Sequence, residues 1–428
     1  MASTQRPALL VVAGGTAPAA AAGTERVIGH LRTQRPGTAV VHHGLREVAQ
    51  GVVHRRIRFG SPGSEETDDA EVLELAHGCV SCTLREDVLP LLAGLARTSG
   101  VTQIVLQLDP VLEPEQVCWA VLHVLVDGVV VADLVDLRGV ISVVDVETWL
   151  DDATCDDDVA ERGLALLPGD ERTLAQLVVG QAEFADLLVY AGESEPWRQA
   201  RTDAVLDRLV PLAVRLRLDQ LDRTLLLDDL PDGARRGRPD NPHAPLLHGQ
   251  PALAADLGVR LVVFSARRPF HPERLHRALD ALLVGVVRAR GRIWLATRPD
   301  SVLWIESAGG GLRIGHVGDW LAAGGADDWD RAHPEQRAAA ALRWHSRWGD
   351  RAQEIAVLVH DADPTDIEAA LHGALLDDDE LAASEAAWHT YPDPFGWWHT
   401  EPCDDIGTEP AGNGPTHDRS APDQEEKK

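Results

Sequence analysis

The chain has 428 residues, of which 44% are hydrophobic and 25% charged, and its formal net charge is −28. That apolar content supports a sizeable core and excludes wholesale disorder, and the length predicts about two to three domains. The negative field opposes phosphate backbones and anionic lipid, so direct DNA binding and a membrane-surface role are not expected. It suits either a protein that handles cations or a plainly well-solvated surface.

Five cysteines occur, Cys79, Cys82, Cys118, Cys155 and Cys403. An odd number in a long chain does not make a disulfide scaffold. No run of apolar residues is long enough to span a bilayer. Pro7 to Gly23 is apolar and rich in small residues, but Arg6 is its only preceding positive charge, and Gly14-Gly15 and Pro18 interrupt it. It reads as a buried strand and a loop rather than a signal peptide, and a cytoplasmic location is expected. The lysines are Lys427 and Lys428 alone, so no mechanism that needs a lysine within the folded body is open to this chain.

Ala8 to Val12 reads as a buried first strand ending at Gly14-Gly15. A helix is predicted from about Thr24, as its cap, to Leu31. Strands follow at Thr38 to His42 and Val53 to Phe59, a polar loop at Ser61 to Asp69, and a strand at Val72 to Ala76. Thr83 to Ala96 has helical periodicity. Ile104 to Leu106, Gly139 to Val144 and Leu187 to Tyr190 read as strands. Glu113 to Leu125, Glu171 to Phe184 and Pro196 to Val210 read as helices. Alternating strands and helices predict a doubly wound parallel α/β sheet over residues 1–231. Residues 232–258 are rich in Gly, Pro, Arg and Asp and read as a linker or exposed loop. A smaller α+β domain is expected over 259–395. Its strands fall at Leu261 to Phe264, Arg292 to Ala296, Val302 to Glu306 and Glu354 to His360, and its helices near Pro272 to Leu283, Glu335 to Trp344 and Asp366 to Leu376. The acidic tail 396–428 is expected to be disordered.

The sharpest local signal is His77-Gly78-Cys79-Val80-Ser81-Cys82-Thr83-Leu84-Arg85. A Cys-x-x-Cys turn aims two sulfurs at one soft metal, and the helix that follows would favour the Cys82 thiolate. His77 is the candidate third ligand. The alternative is a pair of half-buried small residues with no ligand. The segment resembles the Gly-Cys-x-Cys-Cys-Thr-Leu-Arg signature of the CobW family of GTP-binding metallochaperones, with Ser81 at the middle cysteine. Phe264 to Leu275, Gly291 to Pro299 and Trp348 to Glu354 resemble that family's C-terminal domain, and with Gln181 to Asp186 the similarity runs from about residue 8 to 395. The resemblance implies a P-loop-type domain followed by a CobW C-terminal-like domain, zinc as cargo, and a protein client. With the Gly78-Cys79-Val80-Ser81-Cys82 variant, the Ala/Arg-rich, lysine-poor chain resembles an actinobacterial branch of that family.

The same alignment exposes losses. A working P-loop needs close-approach glycines, a lysine for the β- and γ-phosphates and a Ser/Thr for magnesium. The matching segment runs from Gly14 to Arg26, with Gly15, Gly23 and Thr24 as its remaining candidate nucleotide contacts. Thr24 stands about where the lysine belongs, and Glu25 beside it would repel phosphate. The family's acidic Glu-Ser/Thr-x-Gly falls at Gln107-Leu108-Asp109-Pro110, where Pro110 lacks the N–H a glycine would offer. The base-reading Asn-Lys-x-Asp falls at Ala191-Gly192-Glu193-Ser194. With three motifs altered, GTP and magnesium are not expected and no catalytic residue is assigned. His42 and His43, ending the second strand, are expected to approach His77, Cys79 and Cys82, or to be ordinary loop residues. His243 and His248 are weaker candidates. Trp344, Trp348, Trp388, Trp397 and Trp398 read as core anchors or as a docking face. The functional expectation is a pseudo-GTPase of zinc or metal homeostasis that binds metal or a client. The alternatives are an adaptor recruited to ribosomes or other clients under zinc limitation, and an active GTP-dependent metallochaperone with a rebuilt site.

Overall fold

A computed structural model describes residues 6–60, 67–223 and 230–396. The tail 396–428, apart from Gly396, the Trp397-Trp398 pair and most of the polar stretch 61–69 lie outside the described residues.

The first sheet is built from β1 (Ala8–Gly14), β2 (Thr38–Gly44), β3 (Val52–Phe59), β4 (Thr67–Glu74), β5 (Gln103–Gln107), β8 (Asp136–Asp145), β9 (Leu187–Ala191) and β10 (Val214–Arg217), with a small hairpin of β6 (Leu125–Val126) and β7 (Val129–Val130) beside it. The order is β10-β9-β8-β1-β5-β2-β3-β4. Its first six strands run parallel, and β3 and β4 are added antiparallel at one edge. The fold is therefore the doubly wound α/β class, with a mixed rather than wholly parallel sheet. β1 is buried along its whole length. Leu9, Val11 and Ala13 enter the core on one face, and Leu10 and Val12 the core on the other, as a two-residue period between helical layers requires.

The first helix, α1 (Pro18–Gln34), starts a turn and a half before the expected Thr24 cap. Pro18 suits a first-turn position and the alanines that follow are strong helix formers, so the stretch taken for a loop winds up instead. The second helical run, Val80 to Arg97, contains a widened turn at Leu84–Val88. Pro90 follows it, and proline cannot donate to the carbonyl four residues back.

The second sheet comprises β11 (Arg260–Ala266), β12 (Val286–Leu295), β13 (Arg298–Ala308), β14 (Gly311–Asp319) and β15 (Gln353–Val359), in the order β11-β15-β12-β13-β14 and antiparallel throughout. Trp294, Trp320 and Trp388 are buried with Leu376, and Trp348 packs against them; Trp344 stays half exposed.

The segment expected as an exposed linker is bonded at both sides. Asp186 accepts from the backbone N–H of Arg236 at 2.7 Å. Arg292 donates to the carbonyls of Pro242 and Ala244, and Arg290 to that of Leu246. Asp240 pairs with Arg235 at 2.6 Å and with His248 at 2.7 Å, which accounts for His248. Beneath this strap Glu183, at the end of the helix Leu174–Glu183, is paired with Arg288 and Arg290 of β12 at 2.9 and 2.8 Å. Burial alone would raise the Glu183 carboxyl, but the arginine charges hold it below its ordinary value.

Candidate functional site

In a doubly wound sheet a ligand crevice forms beyond the carboxyl ends of the parallel strands. Here that end is framed by Gly14, His42-His43, Gln107 and Ala191. The connection from β1 to α1 is only Gly15-Thr16-Ala17. Gly15 and Ala20 line a cavity of about 20 Å3, whose other walls include Asp145 and Asp152. That volume holds about one water molecule, and burial raises the Asp152 carboxyl within it.

Gly23 and Thr24 lie inside α1 rather than in a loop. A β-carbon on Gly23 would meet Val143 at 2.8 Å and Ala191 at 3.0 Å, so this glycine lets the helix sit on the sheet. Thr24 is buried, and its hydroxyl donates to the Ala20 carbonyl at 2.9 Å. Glu25 belongs to a closed ring of side chains. Gln107 Nε2 donates to Glu25 at 2.9 Å, Arg58 donates to the other Glu25 oxygen at 3.1 Å, and Arg58 also donates to Gln107 Oε1 at 3.2 Å. Burial raises the Glu25 carboxyl, but these hydrogen bonds and the Arg58 charge outweigh it and hold it low. Asp109 accepts from the backbone N–H groups of Leu45 at 2.8 Å and Val111 at 3.2 Å. Its carboxylate is thus committed to the loops around it. After β9 the chain turns through Gly192, whose φ is +76° and whose β-carbon would meet Asp145 at 2.9 Å; Glu193 is exposed.

Cys79 caps the second helical run. Its sulfur accepts from the Cys82 backbone N–H at 3.0 Å, and its carbonyl accepts from the Thr83 hydroxyl. The two sulfurs are joined as a disulfide, with Cα atoms 5.3 Å apart. Gly78 presses on the turn Val48–Gln50, where a β-carbon would meet the Val48 carbonyl at 2.3 Å. His77 is exposed. Among the described residues no three His, Cys, Asp or Glu side chains gather around one metal-sized point, so the structure unites Cys79 with Cys82 without His77.

His42 and His43 are adjacent on a strand and point to opposite faces, a separation the two-residue period already carried. His42 Nδ1 lies 3.2 Å from the Gln107 carbonyl, and burial lowers its pKa. His43 is buried on the other face with Nε2 2.6 Å from Asp87 Oδ2, and Arg55 grips the second Asp87 oxygen at 2.5 Å. Burial raises the Asp87 carboxyl, but His43 and Arg55 together hold it below the usual range. Asp87, Arg55 and Arg58 are residues that sequence reasoning missed; the alternation along β3 puts Arg55 on the His43 face and Arg56 and Arg58 on the other, where Arg58 turns inward and Arg56 stays exposed against Asp68.

Residues 56–191 match the family described as CobW/HypB/UreG, nucleotide-binding domain, and residues 259–375 match the cobalamin synthesis protein cobW C-terminal domain. The first match begins beyond α1. The chain is 48% identical over 391 residues, 90% of its length and 92% of the other, to a Mycobacterium tuberculosis protein named zinc chaperone Rv0106. It is 25% identical over 382 residues, 83% of its length and 78% of the other, to the zinc-regulated GTPase metalloprotein activator 1 of Dictyostelium discoideum. A solved structure of the Zn(II)-bound YjiA GTPase from E. coli aligns at 14% identity and a TM-score of 0.36, covering 87% of this chain and all of that one. No helix among the described residues is long and apolar enough to cross a membrane.

Proposed function

The chain belongs to the CobW family, and from that premise we propose that it is a cytoplasmic metal-homeostasis protein that carries zinc at a thiol pair and has given up GTP hydrolysis. The observation that carries the second half is the filled crevice. Thr24 turns its hydroxyl into its own helix, Glu25 is tied to Arg58 and Gln107, and the β1–α1 connection encloses room for about one water. A magnesium-bound triphosphate needs glycine-rich backbone and a lysine there, and this chain has no lysine before Lys427. The residues present do not fit that group, so no nucleotide step is assigned to them.

Metal binding rests on Cys79 and Cys82, reduced to thiolates; as a disulfide they offer no thiolate to zinc. Two thiolates do not complete a tetrahedral zinc site. His77, exposed two residues away, can swing in as a third donor, and the remaining positions fall to water or to a side chain of a protein client. Such an open site suits hand-over better than storage. The names of the two relatives, a zinc chaperone and a zinc-regulated metalloprotein activator, support the zinc assignment. The domain limits that go with this reading are 1–231 for the crevice-bearing domain and 259–395 for the C-terminal one, tied by the strap between them.

Zinc titration of the reduced protein, against a competing chelator, tests the metal assignment. Affinity should drop sharply in Cys79→Ser/Cys82→Ser and fall by a smaller factor in His77→Ala. Unchanged zinc affinity in the double variant would remove the assignment.

A further inference from the structure

A cleft of about 410 Å3 opens at the other end of the sheet, lined by Arg6, Leu122, Ala132, Val135, Asp136, Leu137, Arg236 and Arg238. Arg6 lies two residues before the first residue of β1, and Gly15 directly follows the strand. At about 3.3 Å per strand residue the cleft lies roughly 30 Å from the β1–α1 crevice. It is not the family's nucleotide site.

The cleft is unusual in its charge. Among the described residues Arg6 donates to the carbonyls of Ala132 and Asp133 alone, at 3.3 and 3.4 Å. The Arg236 guanidinium donates among them to the Leu230 carbonyl alone, at 3.4 Å. The Arg238 side chain has no hydrogen bond or ion pair among the described residues. The nearby strap and β12 differ: Arg235, Arg288, Arg290 and Arg292 all face carboxylates. The one acid in the cleft wall, Asp136, is bonded to Arg138 at 3.0 Å. Among the described residues, three arginines without a carboxylate partner therefore line one cleft, in a chain whose net charge is −28.

The backbone holds them there at a cost. Arg236 has φ +48°, a left-handed conformation that a β-carbon disfavours. It is kept by the hydrogen bond from its N–H to the buried Asp186. Next to it Gly237 lies against Leu137, where a β-carbon would meet the side chain at 2.7 Å. The chain is thus pinned so that residues 236 and 238 flank the cleft. Strain of this kind persists where surrounding structure enforces it, and it clusters at binding sites.

We propose that this cleft binds a small phosphate-bearing anion. Three arginines from two segments, Arg6 before β1 and the Arg236–Arg238 pair on the strap, offer more donors than a single carboxylate can accept, whereas a phosphate accepts donors from several directions. The volume is in the range of small-ligand pockets. The chain's overall negative charge opposes the approach, but at physiological ionic strength it is screened beyond about 8 Å. A bound anion would tie the start of β8 to the strap that joins the two sheets.

Calorimetric titration of the full chain with inorganic pyrophosphate, with AMP and with citrate tests this, using wild type, Arg238→Gln and Arg236→Gln. The Arg238 side chain is exposed and makes no hydrogen bond or ion pair among the described residues, so its variant should melt at the wild-type temperature without ligand. The proposal expects saturable, salt-sensitive binding of pyrophosphate or AMP that weakens about tenfold or more in Arg238→Gln and again in Arg236→Gln. Tighter binding of AMP would point to a nucleotide as the source, and tighter binding of pyrophosphate to an inorganic one. Absence of saturable binding by both, unchanged affinity in Arg238→Gln, or citrate binding as tightly as the better phosphate would each overturn it.

Discussion

The hydroxyl oxygen of Thr24 lies 2.1 Å from the point where a β-carbon on Gly14 would stand. The glycine at the end of β1 therefore admits a threonine from α1. Since that hydroxyl is also bonded to the Ala20 carbonyl at 2.9 Å, it cannot rotate away freely.

Gly14→Ala should accordingly destabilise the fold, by about 1–3 kcal/mol as an overpacked site. Thr24→Ala in the same background should recover part of the loss, because the oxygen goes while the Thr24 β-carbon, 3.3 Å from the same point, remains. Urea unfolding of the two single variants and the double variant measures this. Additive effects would mean that the two residues do not compete for this space.

Gln107→Glu restores the acid that the family carries at the end of β5. In this chain it should be unfavourable, because Gln107 Nε2 donates to Glu25 at 2.9 Å and a carboxylate there would face another. Glu25 is about half exposed, so solvent screening keeps the cost near ~0.5–1 kcal/mol at neutral pH. The penalty should shrink as pH falls through the carboxylate range and one of the pair takes a proton. Melting temperatures across that range report it; a penalty independent of pH would point to packing instead.

Asp240 holds the strap through Arg235 and His248. Burial raises its carboxyl, but the hydrogen bond to His248 and the Arg235 charge depress it well below the ordinary value. A depressed acid contributes stability above its unfolded pKa, near 4, and loses it as pH falls towards the folded value. Asp240→Asn should therefore cost on the order of 2 kcal/mol at pH 7, and the gap from wild type should close below about pH 4. Denaturant midpoints at pH 7, 5 and 3 check this. A gap that widened on acidification would contradict the assignment.

Much of the fold could be read from residue patterns. The helix Pro196–Leu209 and the strand Leu187–Ala191 follow directly from a proline start and an apolar run. The Ala-rich stretch after Gly15 is helical as alanine propensity favours, so there the local signal itself outweighs the expected loop. Elsewhere tertiary context overrides local signals. β14 carries Arg313, His316 and four glycine or aspartate positions, so its pairing with β13 supplies what its composition does not. The strap looked like a linker because its partners, Asp186 and the arginines of β12, are distant in sequence. In the site, the cysteine pair was legible from spacing. The Glu25–Arg58–Gln107 ring was not, because it joins α1, β3 and β5 and exists only once the sheet is assembled.

The proposed loss of GTP hydrolysis rests on the crevice beyond β1, where Thr24 and Glu25 are held by their neighbours. Magnesium-dependent GTP turnover by the purified, reduced chain tests it most directly. The account predicts no phosphate release above the protein-free rate, with or without magnesium and zinc. Turnover that co-purifies with the chain, requires magnesium and is abolished by Thr24→Ala or Asp109→Asn would contradict it.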